Sequence, residues 1–309
     1  MLKTLMNIEH LKLFVRIAST SNISLAGREL NISPAVASAH IGKLEDTLGV
    51  RLVHRTTRKV SLTDEGQLFL PHAQEVLDSI ETAQAAVGTG ARTPQGTLRV
   101  TAPASFGRMH LVPAIHEFLA KYPKLNIDFR FSDSILDVVD GGFDVAIRDA
   151  ELKDSNLHAK KLTDDKRIIV ASPEYLKKHG EPKTPNDLKE HMAVNLPALD
   201  VWEFKTGNSV TSIKTKSRVR MDNGEAVRDA CVAGCGLTLT ATWCSYENIA
   251  RGELVQVLKD YPVATDCALW AVYPSNRLLA PKVRAFIDFL AERFSGTPYW
   301  DKKLTGMIQ

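Results

Sequence analysis

Apolar residues recur at helical spacing over the first 90 residues, and strands alternate with helices after Gly96; this change of period divides the chain. Leu11, Phe14, Val15 and Ala18 repeat at i, i+3, i+4 and i+7, which predicts a helix over 8–18 with Asn7 as its N-cap. A second helix is predicted over 24–30, capped near Asn22. Asn31-Ile32 makes the turn, Ser33 caps a third helix running through Leu48, and Pro34 sits where its missing N–H does no harm. In the third helix Ala37, Ile41, Leu44 and Leu48 form the buried side. Ala35, Ser38, Ala39 and Gly42 form a second stripe of small residues.

A helix surface with so little bulk suits a major groove, where alanine meets a thymine methyl and serine meets either base edge. Close packing against another helix is the alternative. The basic segment 51–59 tips the reading to DNA: Arg55, Arg58 and Lys59 stand beside Thr56 and Thr57, side chains that hold phosphates. An arginine at its tip suits a narrow minor groove, with a solvated loop as the alternative. The candidate DNA contacts are Ser24, Ser33, Pro34, Ala35, Ser38, Ala39, His40, Lys43, Arg55, Thr56, Arg58 and Lys59.

A long helix is predicted from Thr63, with Asp64 and Glu65 in its first turn and Pro71 loosening its start. Phe69, Ala73, Val76, Ile80, Ala83 and Val87 follow 4-3-4-3-4 spacing, a coiled-coil seam that calls for a partner. A second copy of the chain is the simplest one. Such a dimer, or a tetramer built from it, presents paired recognition helices to a near-palindromic duplex. Gly88-Thr89-Gly90 ends the helix, and a linker runs to Gly96.

Beyond it, strands are predicted near 98–101, 125–131, 143–148, 167–171, 218–221, 237–240 and 267–272. Helices are predicted near 106–121, 135–140, 173–178, 186–191, 224–233, 243–251 and 281–294. This alternation implies parallel-sheet α/β units.

Composition sets limits on function. The net charge is only +3, so affinity for nucleic acid must come from local charge placement. The N-terminus lacks the apolar run of a secretory signal, and the longest uncharged stretch, 230–246, falls short of the ~20 apolar residues needed to span a bilayer. The expectation is a cytoplasmic protein without membrane contact. Four cysteines lie in the last third without metal-binding spacing. Cys231 and Cys235 share a helix face; they are two small buried side chains or, alternatively, redox-sensing thiols. Gly-x-Gly-x-x-Gly after a strand, a phosphate loop, a Gly-x-Ser-x-Gly elbow and metal-spaced histidines are all missing. No enzyme, cofactor or metal site is therefore expected.

The chain resembles a LysR-type transcriptional regulator over almost its whole length. The matching strings begin with Leu11-Lys12-Leu13-Phe14-Val15, Asn31-Ile32-Ser33-Pro34-Ala35-Val36-Ala37-Ser38, Leu44-Glu45, Leu48-Gly49, Arg55-Thr56-Thr57-Arg58 and Leu62-Thr63-Asp64-Glu65-Gly66. They continue with Gly96-Thr97-Leu98-Arg99-Val100-Thr101-Ala102-Pro103, Tyr122-Pro123, Phe143-Asp144-Val145-Ala146-Ile147-Arg148, Ala171-Ser172-Pro173-Glu174-Tyr175-Leu176 and Ala233-Gly234-Cys235-Gly236-Leu237. The resemblance implies an all-α winged helix-turn-helix domain over 6–64, a linker and dimerisation helix with hinge over 65–95, and a two-lobed α/β effector domain over 96–300. That domain is shaped like a periplasmic binding protein, with lobe I near 96–166 and 268–297 and lobe II near 167–267. It further implies double-stranded promoter DNA, a small-molecule effector and self-association, with RNA polymerase as a further possible contact. Ala39 and His40 stand where relatives often carry Arg or Gln, which shifts specificity toward the wing and DNA shape.

The family cleft lies at strand ends between the lobes. Thr101 to Phe106 and Asp222-Asn223-Gly224 each lead into a helix N-terminus, a ready site for an anion, and Arg148 can supply a fork for a carboxylate. The effector-site candidates are Thr101, Pro103, Ser105, Phe106, Ser132, Arg148, Trp202, Asn223 and Gly224, with Phe106 and Trp202 as an apolar wall. Ser105 and Asn223 as plain helix caps, and Trp202 as core, are the alternatives. A solute-binding protein or a redox sensor on the same two-lobed domain is the competing function.

Overall fold

The computed structural model describes residues 6–55, 60–87, 93–134, 138, 142–151, 157–197, 199–207, 209–274 and 280–308. The chain forms two compact units, Met1–Arg92 and Thr93–Gln309.

The first unit begins with helices α1 (Ile8–Thr20), α2 (Ile23–Glu29) and α3 (Pro34–Leu48). Each starts where a side-chain oxygen takes up a free N–H: Asn7 accepts from Glu9, Asn22 from Leu25, and Ser33 from Val36 at 3.3 Å. The buried side of α1 is wider than one stripe. Leu11, Leu13, Phe14 and Ile17 are buried, whereas Val15 and Ala18 are only partly so, because α1 packs against α2, α3 and the long helix at once. In α3 the buried set is Ala37, Ile41, Leu44 and Glu45, with Leu48 half-buried.

A two-stranded antiparallel wing follows, β1 (Val53–Arg55) and β2 (Val60–Leu62); Thr56, Arg58 and Lys59 lie outside the described residues. Helix α4 (Asp64–Val87) spans 24 residues, about 36 Å at 1.5 Å per residue. Thr63 caps it by accepting the Gly66 N–H at 2.9 Å. Gly66 has no alternative: a Cβ there would lie 2.1 Å from the Leu52 carbonyl oxygen. The front half of the expected seam is used within the unit. Ala73 is buried and Phe69 packs on the helical core, its ring 5.5 Å from that of Phe14. Val76 remains exposed and Ile80 half-buried.

The second unit holds a five-stranded sheet in the order β4-β3-β5-β14-β6. Its strands are β3 (Gly96–Ala102), β4 (Leu125–Phe131), β5 (Val145–Ala150), β6 (Leu157–Asp164) and β14 (Ala268–Pro274). β3 runs parallel to β4 and β5, but β14 runs antiparallel to β5 and β6, so the sheet is mixed rather than parallel. Antiparallel β14 follows from the chain returning to this lobe from the second one. The second lobe has β7 (Arg167–Ala171) between β12 (Thr238–Ala241) and β13 (Val255–Val257), both antiparallel to it. It also pairs β8 (Met192–Asn195) in parallel with β11 (Lys216–Arg220), and β9 (Val201–Thr206) with β10 (Ser209–Lys214) as a hairpin. Strands β6, β8, β9, β10 and β13 escape the sequence pattern. β6 is an edge strand with charged, mostly exposed side chains, and β10 is rich in Ser, Thr and Lys.

Helices α5 (Ala104–Phe106), a π-helical turn (Gly107–Leu111) and α6 (Val112–Lys121) form one continuous run where a single helix over 106–121 is expected. The turn requires Gly107, since a Cβ there would meet the Phe131 ring at 2.4 Å. The remaining helices are α7 (Pro173–His179), α8 (Gly224–Val232), α9 (Thr242–Ala250), α10 (Pro281–Arg293) and α11 (Tyr299–Lys303). A 3-10 turn (Pro185–Glu190) replaces the helix expected near 186–191, and most of the helix expected over 135–140 lies outside the described residues. Helix α11 is invisible in the sequence pattern. Its Trp300, and Leu304 just beyond, are buried, so the core extends past residue 300.

One apolar cluster runs through both lobes, joining Leu98, Val100 and Phe106 to Trp243, Tyr246 and Ile249. Two segments cross between the lobes, and they are tied together: the Asp165 N–H donates to the Cys267 carbonyl at 3.2 Å. Arg167 pairs there with Asp165 (2.7 Å) and Asp149 (3.0 Å), all three groups largely buried. Burial pushes the Asp165 carboxyl well above the usual range; Asp149 adds to this and Arg167 opposes it.

Candidate nucleic-acid interface and effector site

Along α3, Pro34, Ala35, Ala39 and Lys43 are exposed, and Ser38 and Gly42 half-buried beside them. Ala35, Ala39 and Lys43 succeed one another at four-residue spacing, a row of small side chains ending in a cation. Ser33 is exposed at its start and Ser24 is exposed on α2. His40 departs from this row: it is half-buried against His10, ring centroids 4.5 Å apart, and its Nδ1 has no hydrogen-bond partner among the described residues. Burial, then the neighbouring His40 and Lys43, hold the His10 imidazole below its usual pKa.

The sequence reading missed Glu45. Its buried carboxylate accepts the N–H groups of Leu52 (2.9 Å) and Val53 (3.2 Å) and pairs with Arg51 at 2.7 Å, fixing the wing's base to the end of α3. The available signal was an acid in the last turn of a helix, where the dipole disfavours it unless other donors compensate.

In the second unit the structure brings Ser105, Asn223 and Gly224 together. Asn223 caps α8, its Oδ1 accepting from Ala226 at 3.0 Å. The Glu225 N–H donates to Ser105 Oγ at 3.1 Å, so a residue at the start of α5 also caps the helix of the other lobe. Gly224 lies against this contact; a Cβ there would sit 3.6 Å from Ser105 Oγ, an ordinary van der Waals distance. Glu225 in turn takes the Arg108 guanidinium, and that hydrogen bond is the largest cause holding its carboxyl below the usual range.

Four further candidates have the following settings. Thr101 is fully buried, its Oγ1 without a partner among the described residues. Pro103 is half-buried at the head of α5, and Ser132 is half-buried with its Oγ accepting from Ser134 at 3.2 Å. Arg148 is half-buried on β5 opposite Trp270.

Asp133, unremarked in the sequence reading, holds the centre. Its Oδ1 accepts the Ala104 N–H at 2.9 Å, and its Oδ2 accepts the Asn223 side-chain amide at 2.8 Å. A Ser-Asp-Ser stretch directly after a strand was the available cue.

Two expected wall residues are not in a wall. Phe106, the last residue of α5, is fully buried among His110, Trp243, Phe294 and Trp300. Trp202 is 1% exposed in the core of the second lobe, its indole N–H donating to the Leu199 carbonyl at 3.1 Å.

Cys231 is also unsuited to its redox role. Its thiol donates to the Gly236 carbonyl at 3.1 Å, and burial pushes it up to about 12, far from the thiolate that reactivity needs. Cys235 is exposed. Among the described residues, Asp149, Asp165 and Cys267 have ligand atoms within 4.8 Å of one another, but Arg167 already bonds both carboxylates. A cavity of about 320 Å³ opens beside these crossovers, lined by Asp165, Arg167, Lys259 and Tyr261 among others; none of the effector-site candidates lines it.

A winged helix-turn-helix unit coupled to an α/β unit with two stitched lobes defines a DNA-binding regulator with a sensing domain. Known proteins agree. The pattern described as the bacterial regulatory helix-turn-helix protein, lysR family, matches residues 8–67, and that of the LysR substrate binding domain matches 91–295. The HTH-type transcriptional regulator DmlR of Escherichia coli K12 is 35% identical over 292 residues, 93% of this chain and 94% of that protein. The structure of CrgA, a LysR-type regulator from Neisseria meningitidis, superposes with a TM-score of 0.62 at 30% identity, covering 94% and 99% of the two chains. The Vibrio cholerae virulence activator AphB gives 0.57 at 28% identity, covering 93% and 99%. The chain belongs to the LysR family of transcriptional regulators, with a helix-turn-helix DNA-binding domain and an effector-binding domain. Among the described residues, no helix is long and apolar enough to cross a membrane.

Proposed function

We propose that the chain works in the cytoplasm as a non-enzymatic regulator that grips a near-palindromic promoter site as a dimer or tetramer and changes its grip when a small anionic metabolite enters the second unit. The observation that carries this is the exposed row Ala35, Ala39 and Lys43 on a Ser33-capped helix, with the wing held to its far end by Glu45. In this reading Ser24, Ser33, Pro34 and Ser38 join that row at the DNA, and Arg55, Thr56, Arg58 and Lys59 reach phosphates from the wing. His40 positions the helix through His10 rather than touching bases.

The division of labour is a DNA-binding domain over 6–64, a pairing helix and hinge over 65–95, and a sensing domain from 96 to about 300. Val76 and Ile80 supply the apolar part of α4 left over for pairing. The effector lies against Thr101, Pro103, Ser105, Ser132, Arg148, Asn223 and Gly224. RNA polymerase is a further partner in the complex on DNA.

The test is a mobility shift of the purified full chain on its own upstream DNA at several salt concentrations, with random duplex as competitor. The expected result is a specific complex that survives competitor and weakens with salt at a log–log slope of about 0.9 per phosphate neutralised. No preference over random duplex, or a monomer in solution, overturns the reading.

A further inference from the structure

We propose that the Asp133 carboxylate holds the place of the effector's own carboxylate, so that binding exchanges one carboxylate for another and releases the bridge from Asp133 to Asn223. This rests on the reading of the site as one for an anionic effector, and it adds how that site is occupied beforehand and what binding undoes.

The geometry is that of an anion already seated. Asp133 Oδ1 takes the Ala104 N–H at 2.9 Å, one of the donors left open at the head of the helical run 104–121. Oδ2 takes the Asn223 amide at 2.8 Å, and Asn223 is the cap of α8 in the opposite lobe. One carboxylate therefore bonds a backbone N–H at the head of the run 104–121 and the capping side chain of α8 in the opposite lobe, two points where helix dipoles favour an anion.

A second observation points to a ligand beside it. Thr101 Oγ1, at the end of the strand that leads into Ala104, is fully buried and has no hydrogen-bond partner among the described residues. Buried hydroxyls are almost always bonded, so this oxygen has hydrogen-bonding capacity left for a group that enters. Asp133 itself is exposed, and its carboxylate can return to water without a large desolvation penalty. The Ser105–Glu225 and Arg108–Glu225 contacts do not involve Asp133, so they keep the lobes joined while the Asp133 bridge is exchanged.

The consequence is a ligand preference. A minimal carboxylate gains only what Asp133 gives up, whereas one with a further acidic or apolar part adds contacts of its own. If Asp133 occupies the site about nine times in ten, the apparent affinity for any carboxylate is reduced about tenfold.

Titration calorimetry of the full chain, with acetate, succinate and benzoate as probes and benzylamine as the cationic control, tests this on wild type, Asp133→Asn and Asp133→Ala. Circular dichroism verifies the fold of each. The expected result is carboxylate affinity raised about tenfold in Asp133→Ala, an intermediate gain in Asp133→Asn, and no benzylamine binding. Equal or weaker carboxylate affinity in both variants overturns the exchange and leaves the anionic-effector reading standing. Carboxylates binding to none of the three chains removes that reading and this one with it. Benzylamine bound by wild type and lost in Asp133→Ala also overturns the exchange, since Asp133 would then recognise a cation.

Discussion

Glu45 Oε1 accepts the backbone N–H of Leu52 at 2.9 Å, so an acid in the last turn of α3 organises the first residues of the wing. The same carboxylate serves Val53 and Arg51, and Thr63 Oγ1 donates to the Arg51 carbonyl at 2.7 Å. Helix, wing and α4 thus meet at one buried polar knot. Replacing Glu45 with Ala leaves the N–H groups of Leu52 and Val53 without their acceptor. A buried unsatisfied donor costs about 1–3 kcal/mol, and urea unfolding should show a loss at the upper end of that range. A loss below the error of the measurement would mean that water replaces the carboxylate.

Lys43 is exposed in the last half of α3, four residues beyond Ala39. As a phosphate contact it should matter equally for every sequence. Lys43→Ala should weaken binding to specific and random duplex alike and lower the salt slope by about 0.9. A selective loss on the specific site alone would move Lys43 from the backbone to a base.

Lys282 and Asp144 form a buried ion pair at 3.1 Å, with Lys282 also donating to the Thr97 carbonyl and Asp144 accepting the Arg99 N–H. The pair fastens the head of α10 to β3. Lys282→Met leaves a buried carboxylate without its countercharge and should cost about 3–5 kcal/mol in denaturant unfolding, with the Lys282→Met/Asp144→Asn double variant recovering part of it. Additive losses would show that the two side chains do not act as a pair.

His110 is buried between the lobes, its Nε2–H donating to the Trp243 carbonyl at 3.1 Å and its Nδ1 facing the Tyr299 hydroxyl at 2.5 Å. Burial lowers its pKa to about 4 from 6.5, despite the opposing Trp243 carbonyl. The unfolded chain therefore binds this proton first, between pH 6.5 and 4, and the folded chain only below that window. Stability should fall by about 3 kcal/mol as pH drops through the window and then level off. Thermal unfolding across this range should show a shallower fall in His110→Gln; an unchanged slope would assign the acid sensitivity to other groups.

How much of this was legible beforehand follows from the range of the forces involved. Helix caps at Asn7, Asn22 and Ser33, the breaks between α1, α2 and α3, and the row of small residues on α3 are set by neighbours within a turn or two, so local sequence determined them. The change from helical period to strand–helix alternation likewise determined the split into two units and the α/β class of the second. Even there local pattern had limits. The seam on α4 was visible, but not that Phe69 and Ala73 are consumed by the neighbouring helices.

Tertiary structure alone decided which polar groups meet. Asp133 and Asn223 are 90 residues apart, Ser105 and Glu225 are 120, and Lys282 lies 185 from Thr97. Nothing in a local window distinguishes a serine that caps its own helix from one that caps a helix in the other lobe. Phe106 and Trp202 were misplaced for the same reason: an aromatic side chain suits a core and a cleft equally, and only the surrounding fold says which of the two it fills. Antiparallel β14 and the buried Trp300 depend on where a distant segment returns, and that is a property of chain path rather than of residue type.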